Sequence, residues 1–232
     1  MKAMILAAGR GERMRPLTDT RPKALLSVGG KALIEWHLEK LAAAGFGTIV
    51  INHAHLGAQI EAALGDGKRF GLSIMYSPET EALETAGGIA QALPLLGDAP
   101  FAVVNADVYS DFNYAHLVDA VRHLADQKNR AGALAHLVLV HNPAHHIEGD
   151  FALNDGFVAL DGARFTFSGI AAYQPALFKA VARGSKARLA PLLREHIATR
   201  RITGELCAAR WCDVGTPARL ASLERELSAR SA

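Results

Sequence analysis

Between the first apolar run and residue 23 the chain reads Leu6-Ala7-Ala8-Gly9-Arg10-Gly11-Glu12-Arg13-Met14-Arg15-Pro16-Leu17-Thr18, closed by Pro22-Lys23. Glycines directly after a strand let the backbone approach a ligand closely, and exposed amides there favour an anion. Arg10, Arg13, Arg15 and Lys23 put four cations around this one loop. Arginine forks grip phosphate oxygens in pairs, while lysine acts as a compact point charge. The loop is not a Walker A motif, because no Gly-Lys-Ser/Thr follows. It is not a dinucleotide fingerprint either, because Met14 stands where helix packing would need a third glycine. Its chemistry suits a polyphosphate; the bland alternative is a solvated basic turn, which its position after the first strand disfavours.

Two acids extend the set. Val103-Val104-Asn105-Ala106-Asp107 ends an apolar run on a carboxylate, and Trp211-Cys212-Asp213-Val214-Gly215-Thr216-Pro217 repeats that pattern late in the chain. Either aspartate alone reads equally well as a turn or capping residue. Together with a polybasic loop they form a more specific combination, cations for phosphates and paired carboxylates for a divalent metal. The histidine pairs His53/His55 and His145/His146 lack a third convergent zinc ligand, so they are expected in structural or surface roles.

These residues need a scaffold that brings strand ends together. Short apolar runs at 3–8, 48–52, 72–76, 101–105 and 134–141 alternate with helical patterns at 33–44, 56–64, 88–96 and 114–125. Strands alternating with helices imply an α/β fold, a Rossmann-like, mostly parallel sheet with helices on both faces. Right-handed crossovers then line the strand C-termini along one edge, where such sheets bind ligands. After Asn142-Pro143 the rhythm changes to close-spaced strand candidates at 151–154, 157–160 and 164–173, with Asp155-Gly156 and Asp161-Gly162 turns between them. Helices are expected at 175–182 and 189–199, then a short strand, then a terminal helix from Pro217 capped by Thr216. The whole is expected to form one domain, residues 1–141 the alternating α/β portion and 142–232 a portion that includes a small β-rich insertion on the ligand side.

Composition sets the outer bounds. Of 232 residues half are apolar and 21% charged, which excludes a disordered chain. A chain of this length buries about three-quarters of the surface it exposes when unfolded. With 25 basic and 23 acidic side chains the net charge is only +2, so there is no broad attraction to nucleic acid or a membrane surface, and no protein partner is implied. Cys207 and Cys212 match no zinc or redox spacing. Two reduced thiols, no apolar run long enough to span a bilayer and an N-terminus unlike a secretory leader together predict a cytoplasmic protein.

The combination of Gly-x-Gly-x-Arg-x-x-Pro-Leu-Thr, Pro-Lys, the strand-end Asp107 and the late Asp213-Val214-Gly215-Thr216 resembles the sugar-1-phosphate nucleotidyltransferases over essentially the whole chain. Ile51-Asn52-His53-Ala54, Glu84-Thr85-Ala86-Gly87-Gly88-Ile89, Asn142-Pro143-Ala144-His145-His146 and Gly149-Asp150-Phe151 are most like the short bacterial branch acting on N-acetylmuramate-1-phosphate. That resemblance implies a uridylyl transfer from UTP to the sugar phosphate, giving a UDP-sugar and pyrophosphate in cell-wall recycling. It also implies a nucleoside triphosphate and a sugar-1-phosphate as partners, with Mg2+ as cofactor. Leu6, Ala8 and Gly9 would cradle base and ribose, and Gly11, Glu12 and Arg13 the triphosphate. Lys23 would hold phosphate in the transition state, with Arg13 and Asp107 also catalytic, and Asp107 with Asp213 would bind the metal. Glu79 and a Thr85-Ala86-Gly87 turn would line the base pocket. Gly149, Asp150, Ser168 and Gly169 would face the sugar phosphate, and Asn105 the ribose or sugar.

The chain departs from the family pattern at Ala106, where glycine is common, at Ala24, where proline is common, and in lacking a Glu-Lys-Pro signature between residues 160 and 167. Two other readings stay open on sequence grounds. One is a guanylyl- or thymidylyltransferase on another hexose phosphate; the other is a non-catalytic nucleotide-sugar sensor.

Overall fold

The computed structural model describes residues 1–126 and 132–231. In chain order it runs β1 (Lys2–Leu6), β2 (Ser27–Val28), β3 (Lys31–Ala32), α1 (Leu33–Ala43), β4 (Thr48–His53), α2 (Gly57–Leu64), β5 (Ser73–Pro78), α3 (Glu84–Leu96), β6 (Phe101–Asn105), β7 (Val108–Ser110) and α4 (Tyr114–Ala125). The second part runs β8 (Ala135–Val140), β9 (Phe151–Asn154), β10 (Phe157–Ala159), β11 (Arg164–Tyr173), α5 (Leu189–Ile197), β12 (Ile202–Cys207), β13 (Trp211–Asp213) and α6 (Pro217–Ser231).

Nine strands form one sheet in the order β5-β4-β1-β6-β11-β8-β12-β10-β9. Its central strands are apolar runs, Ala3 to Ile5 in β1 and Phe101 to Val104 in β6, because helices cover both faces, as a mostly parallel sheet requires. Along β1, Ala3 and Ile5 join the core under α1, α2 and α4. The intervening Met4 joins the core under α3 and α5. Strand β6 splits in the same way, Ala102 and Val104 to one side, Phe101 and Val103 to the other. A third, smaller core lies outside the sheet, where Leu223 and Leu227 of α6 meet Met14, Val28, Leu33 and Val214.

The order of strands places the site. From β1 the chain steps outward to β4 and β5, both parallel, then returns through α3 to β6 on the other side of β1. That reversal is a topological switch point, and the crevice beyond the ends of β1 and β6 is where such sheets take ligands. Leu6 pairs with Asn105 there, and the Ala106 amide donates to the Leu6 carbonyl at 3.0 Å.

The expected α/β class holds, and the Asp155-Gly156 turn closes the predicted hairpin, Asn154 facing Phe157. Three details differ. Strand β11 is not a peripheral hairpin strand: it runs antiparallel between β6 and β8, because Ile170-Ala171-Ala172-Tyr173 is buried on both faces. The pattern at 175–182 yields a single 3-10 turn, Pro175–Phe178, which tucks Leu177 and Phe178 into the core. The short strand after α5 is two strands, β12 in the main sheet and β13 in a separate two-stranded ribbon with β7.

Candidate functional site

The loop after β1 is shaped by Gly11 and held by two anchors. Gly11 has φ +71°, and a Cβ there would meet Thr18 Cγ2 at 3.0 Å and Lys23 Cβ at 3.3 Å. Thr18, almost wholly buried, donates its hydroxyl to the Gly11 carbonyl at 2.9 Å. Met14 ends the short 3-10 turn that follows and is fully buried in the core beneath α6. By residue type Met14 is only an absent glycine; its role here is to pin the loop to the C-terminal helix.

A third support comes from behind. Asn52, at the end of β4, accepts the Ala7 amide at 3.0 Å and donates to Glu79 at 2.6 Å. The other oxygen of Glu79 accepts the Leu83 amide at 2.9 Å. Glu79, one of the residues expected in the base pocket, therefore lies buried behind the wall and braces Asn52 and the start of α3.

A cavity of about 430 Å3 opens at the switch point. Leu6, Ala8, Gly9, Gly11, Glu12, Arg13, Lys23, Thr85, Asn105 and Asp107 of the expected site line it, joined by Asn52, Ala82 and Gly215. Of the four loop cations, only Arg13 and Lys23 face it. Arg10 pairs with Glu12 at 2.6 Å and Arg15 with Asp19 at 2.7 Å, both on the exposed side. Among the described residues Arg13 has no salt-bridge partner. Thr85-Ala86-Gly87 is the first turn of α3, which begins four residues earlier than its periodicity predicts. Of the three only Thr85 lines the cavity; the amides of Ala86 and Gly87 donate to the Ala187 carbonyl instead.

Residues expected near the sugar divide sharply. Asn105 lines the cavity. Beside it β11 carries a register shift between Phe167 and Ile170. Gly169, at φ +77°, lies so close that a Cβ would meet Asn105 Nδ2 at 2.6 Å. Ser168 is turned inward, donating to the Val138 carbonyl at 2.7 Å and accepting the Ile170 amide. Asp150 accepts the Phe167 amide at 2.8 Å and pairs with His146, and Gly149 packs on the Asn142 amide group. Gly149, Asp150, Ser168 and Gly169 thus stand outside the cavity wall, closing the 142–150 loop onto β11.

The β7–β13 ribbon brings the backbones of the two metal candidates together, although only Asp107 lines the cavity. Asp213 pairs with Val108, and the Val214 amide donates to the Asp107 carbonyl at 2.8 Å. Lys23 Nζ lies 2.5 Å from Asp107 Oδ2. Asp213 has Arg219 Nη2 at 3.1 Å from Oδ2 and His145 Nε2 at 2.8 Å from Oδ1, yet Oδ1 is buried without an aligned hydrogen bond. An orphaned carboxylate oxygen and hard oxygen donors suit a divalent cation. Among the described residues no three His, Cys, Asp or Glu side chains cluster to enclose one.

Below the ribbon, His37 joins α1 to β7. Its Nε2 donates to the Val108 carbonyl at 2.7 Å, and its Nδ1 accepts from the Tyr114 hydroxyl at 2.7 Å. Burial pushes its pKa down to about 4, assisted by Lys40 and opposed by the Val108 hydrogen bond and Asp107. A lone histidine on an apolar helix face gave no sign of this role. His53 is likewise structural, bonded to Glu61 and packed on Gly57. Both cysteines are free, and burial raises the pKa of each thiol.

Comparison with known proteins places this geometry in a family. The nucleotidyl transferase family model matches residues 2–146. The N-acetylmuramate alpha-1-phosphate uridylyltransferase of Neisseria meningitidis serogroup B is 54% identical over 225 residues, 95% of each chain. The protein of that name from Caulobacter vibrioides is 38% identical over 232 residues, 96% of each. The crystal structure of UDP-glucose pyrophosphorylase complexed with UDP-glucose shares the fold at a TM-score of 0.76, covering 99% of this chain and 98% of that one at 17% identity. A switch-point cavity bearing the Gly-x-Gly-x-Arg loop and Lys23, and likeness over nearly its whole length, lead to one conclusion: the chain belongs to the nucleotidyl transferase family.

Proposed function

We propose that this chain transfers the uridylyl group of UTP to a sugar-1-phosphate, N-acetylmuramic acid-1-phosphate being the acceptor, and releases pyrophosphate. The observation that carries this reading is the 54% identity, over 95% of both chains, to a uridylyltransferase named for that substrate. The arrangement of the cavity supports it chemically. An oxygen of the sugar phosphate attacks the α-phosphorus of UTP, and the bond to the β-phosphate breaks with its electron pair leaving on pyrophosphate. No side-chain base is needed, because the phosphate monoester is already ionised. The barrier is repulsion and alignment between polyanions, and positioned cations are the remedy.

In this reading Gly9, Gly11, Glu12 and Arg13 bind the triphosphate, while Leu6, Ala8, Thr85 and Asn52 surround base and ribose. Lys23 neutralises charge at the reacting phosphates. Asn105, buttressed by Gly169, meets the sugar phosphate, and the loop through Gly149 and Asp150 shapes that side. In this reading residues 1–141 carry the nucleotide site together with Asn105, and 142–232 supply the sugar-side loop and the second carboxylate. Asp107 and Asp213 would hold Mg2+, which when bound supplies charge neutralisation across the phosphates.

No helix among the described residues is long and apolar enough to cross a membrane. Two free thiols suit a reducing cytoplasm, where UTP is supplied.

The test is pyrophosphate release with four nucleoside triphosphates against N-acetylmuramic acid-, N-acetylglucosamine-, glucose- and mannose-1-phosphate. UTP with the muramic acid derivative is expected to give the highest kcat/KM. A preference for GTP or dTTP, or binding without turnover, would replace this reading.

A further inference from the structure

Arg219 lies in the first turn of α6, where Thr216 Oγ1 accepts its amide at 3.3 Å and fixes its start. Its side chain is only 19% exposed. Nε and Nη2 are both buried without a hydrogen-bond acceptor. Nη2 comes within 3.1 Å of Asp213 Oδ2, close enough to share charge but not aligned as a hydrogen bond. A buried guanidinium with idle donors is costly, and a built site for an anion is one reason to keep it.

Where those donors point is marked by Gly215. A Cβ built on that glycine would lie 2.1 Å from Arg219 Nη2, 3.2 Å from Arg13 Nη2 and 3.1 Å from Asp213 Oδ2. Gly215 and Arg13 line the cavity; Arg219 does not, but its Nη2 comes up against Gly215 close to the Arg13 guanidinium, with the Asp213 carboxylate beside them. Any side chain at 215 would collide with Arg219 Nη2, and the buried Arg219 donors would have to be drawn past this glycine to meet a ligand in the cavity. Arg13, Arg219 and Asp213 by themselves leave one uncompensated positive charge at this point, while elsewhere the wall carries Lys23 with Glu12, Glu84 and Asp107.

We propose that Arg219 binds phosphate oxygens directly, forming with Arg13 a two-guanidinium clamp for the pyrophosphoryl part of the nucleotide. The inference rests on the uridylyltransferase reading but goes beyond it, since neither the loop motif nor the metal pair contains this residue. Arginine forks donate in parallel pairs, so the idle Nε and Nη2 are matched to one phosphate group.

The alternative is that Arg219 only positions Asp213, and the test separates the two. Calorimetric binding of inorganic pyrophosphate, at one fixed excess of Mg2+, is measured for wild type, Arg219→Gln, Arg219→Lys, Asp213→Asn and the Asp213→Asn/Arg219→Gln double variant. The clamp predicts at least a tenfold weaker Kd for Arg219→Gln, partial recovery in Arg219→Lys, and the same tenfold loss when Arg219→Gln is added to Asp213→Asn. Circular dichroism and Tm confirm that each variant is folded. Should Arg219→Gln not fold, Arg219→Lys carries the test, since losing the fork should still weaken binding measurably. Wild-type affinity in both Arg219 variants, or no further loss in the double variant, overturns the clamp and leaves the transferase reading intact. A wild type that binds no pyrophosphate overturns both.

Discussion

Lys23 and Asp107, 84 residues apart in sequence, meet at 2.5 Å on the floor of the cavity. The lysine is mostly buried and the aspartate is half-exposed, so the pair faces the space where phosphates would enter. A carboxylate next to the ammonium holds it in place before substrate arrives. A cation fixed in that way contributes most where negative charge develops, with little reorganisation.

Lys23→Met is therefore expected to lower kcat/KM by about 10²–10³-fold, the range found when one preorganised donor is removed. The loss should fall mainly on kcat, because the group is assigned to the reacting phosphates. An unchanged kcat with a raised KM for UTP would move Lys23 to ground-state binding.

Asp107→Asn and Asp213→Asn should each abolish most metal-dependent turnover while keeping the fold. Electron paramagnetic resonance of Mn2+ provides a readout independent of activity, and each variant should leave more of the ion free. Full Mn2+ binding in Asp213→Asn would remove that residue from the metal site and return it to the turn role its sequence context also allows.

The sheet and the loop were legible before the structure because their signals are local. Glycines, an arginine and a Pro-Lys follow one strand, and apolar runs alternate with helical ones. Legibility failed where function depends on pairs distant in sequence. Arg10 and Arg15 look like site cations, but Glu12 and Asp19 lie within hydrogen-bond or salt-bridge reach of them and hold them on the outer face. Glu79 looks like a base-pocket acid, but Asn52 and the Leu83 amide consume its oxygens. Arg219 looks like any helix arginine until Gly215 and Arg13 are brought against it. The central place of β11 was hidden because turn residues before it read as hairpin, while the burial of Ile170 to Tyr173 depends on partners from β6 and β8.

Gly169→Ala should act on the sugar side alone. The added methyl must occupy a backbone conformation that L side chains rarely adopt and would press on the Asn105 amide. A destabilisation of about 1–3 kcal/mol is expected. Displacing Asn105 should raise KM for the sugar phosphate more than KM for UTP. Equal changes in both would detach Gly169 and Asn105 from the sugar side.

Met14→Ala tests the anchor of the loop. A fully buried methionine truncated to alanine costs about 2–5 kcal/mol. Because Met14 ties the loop to α6, KM for UTP should rise as well. Leu41→Ala, in the separate core under α1, provides the control: a comparable fall in Tm with KM for UTP unchanged. If both variants shift KM alike, the effect belongs to global stability and not to loop position.

The pH dependence of stability should report on His37. The unfolded chain protonates a histidine near pH 6.5, whereas this imidazole, buried between Val108 and Tyr114, resists the proton until about pH 4. Between those values the unfolded state binds more protons, so stability is full above pH 6.5 and falls as pH drops toward 4. The displacement corresponds to roughly 3 kcal/mol across that window. Glu205, whose carboxyl is held below its ordinary range by the His136 hydrogen bond, adds its own loss only at more acidic pH. In denaturant titrations from pH 7.5 to 4, His37→Gln should flatten the slope between 6.5 and 4.5 even if it lowers stability at pH 7.5. Because the Val108 carbonyl that His37 holds follows directly on Asp107, the wild type should also lose Mn2+ affinity when heated mildly at pH 5. A slope identical in wild type and His37→Gln would show that another group carries the titration.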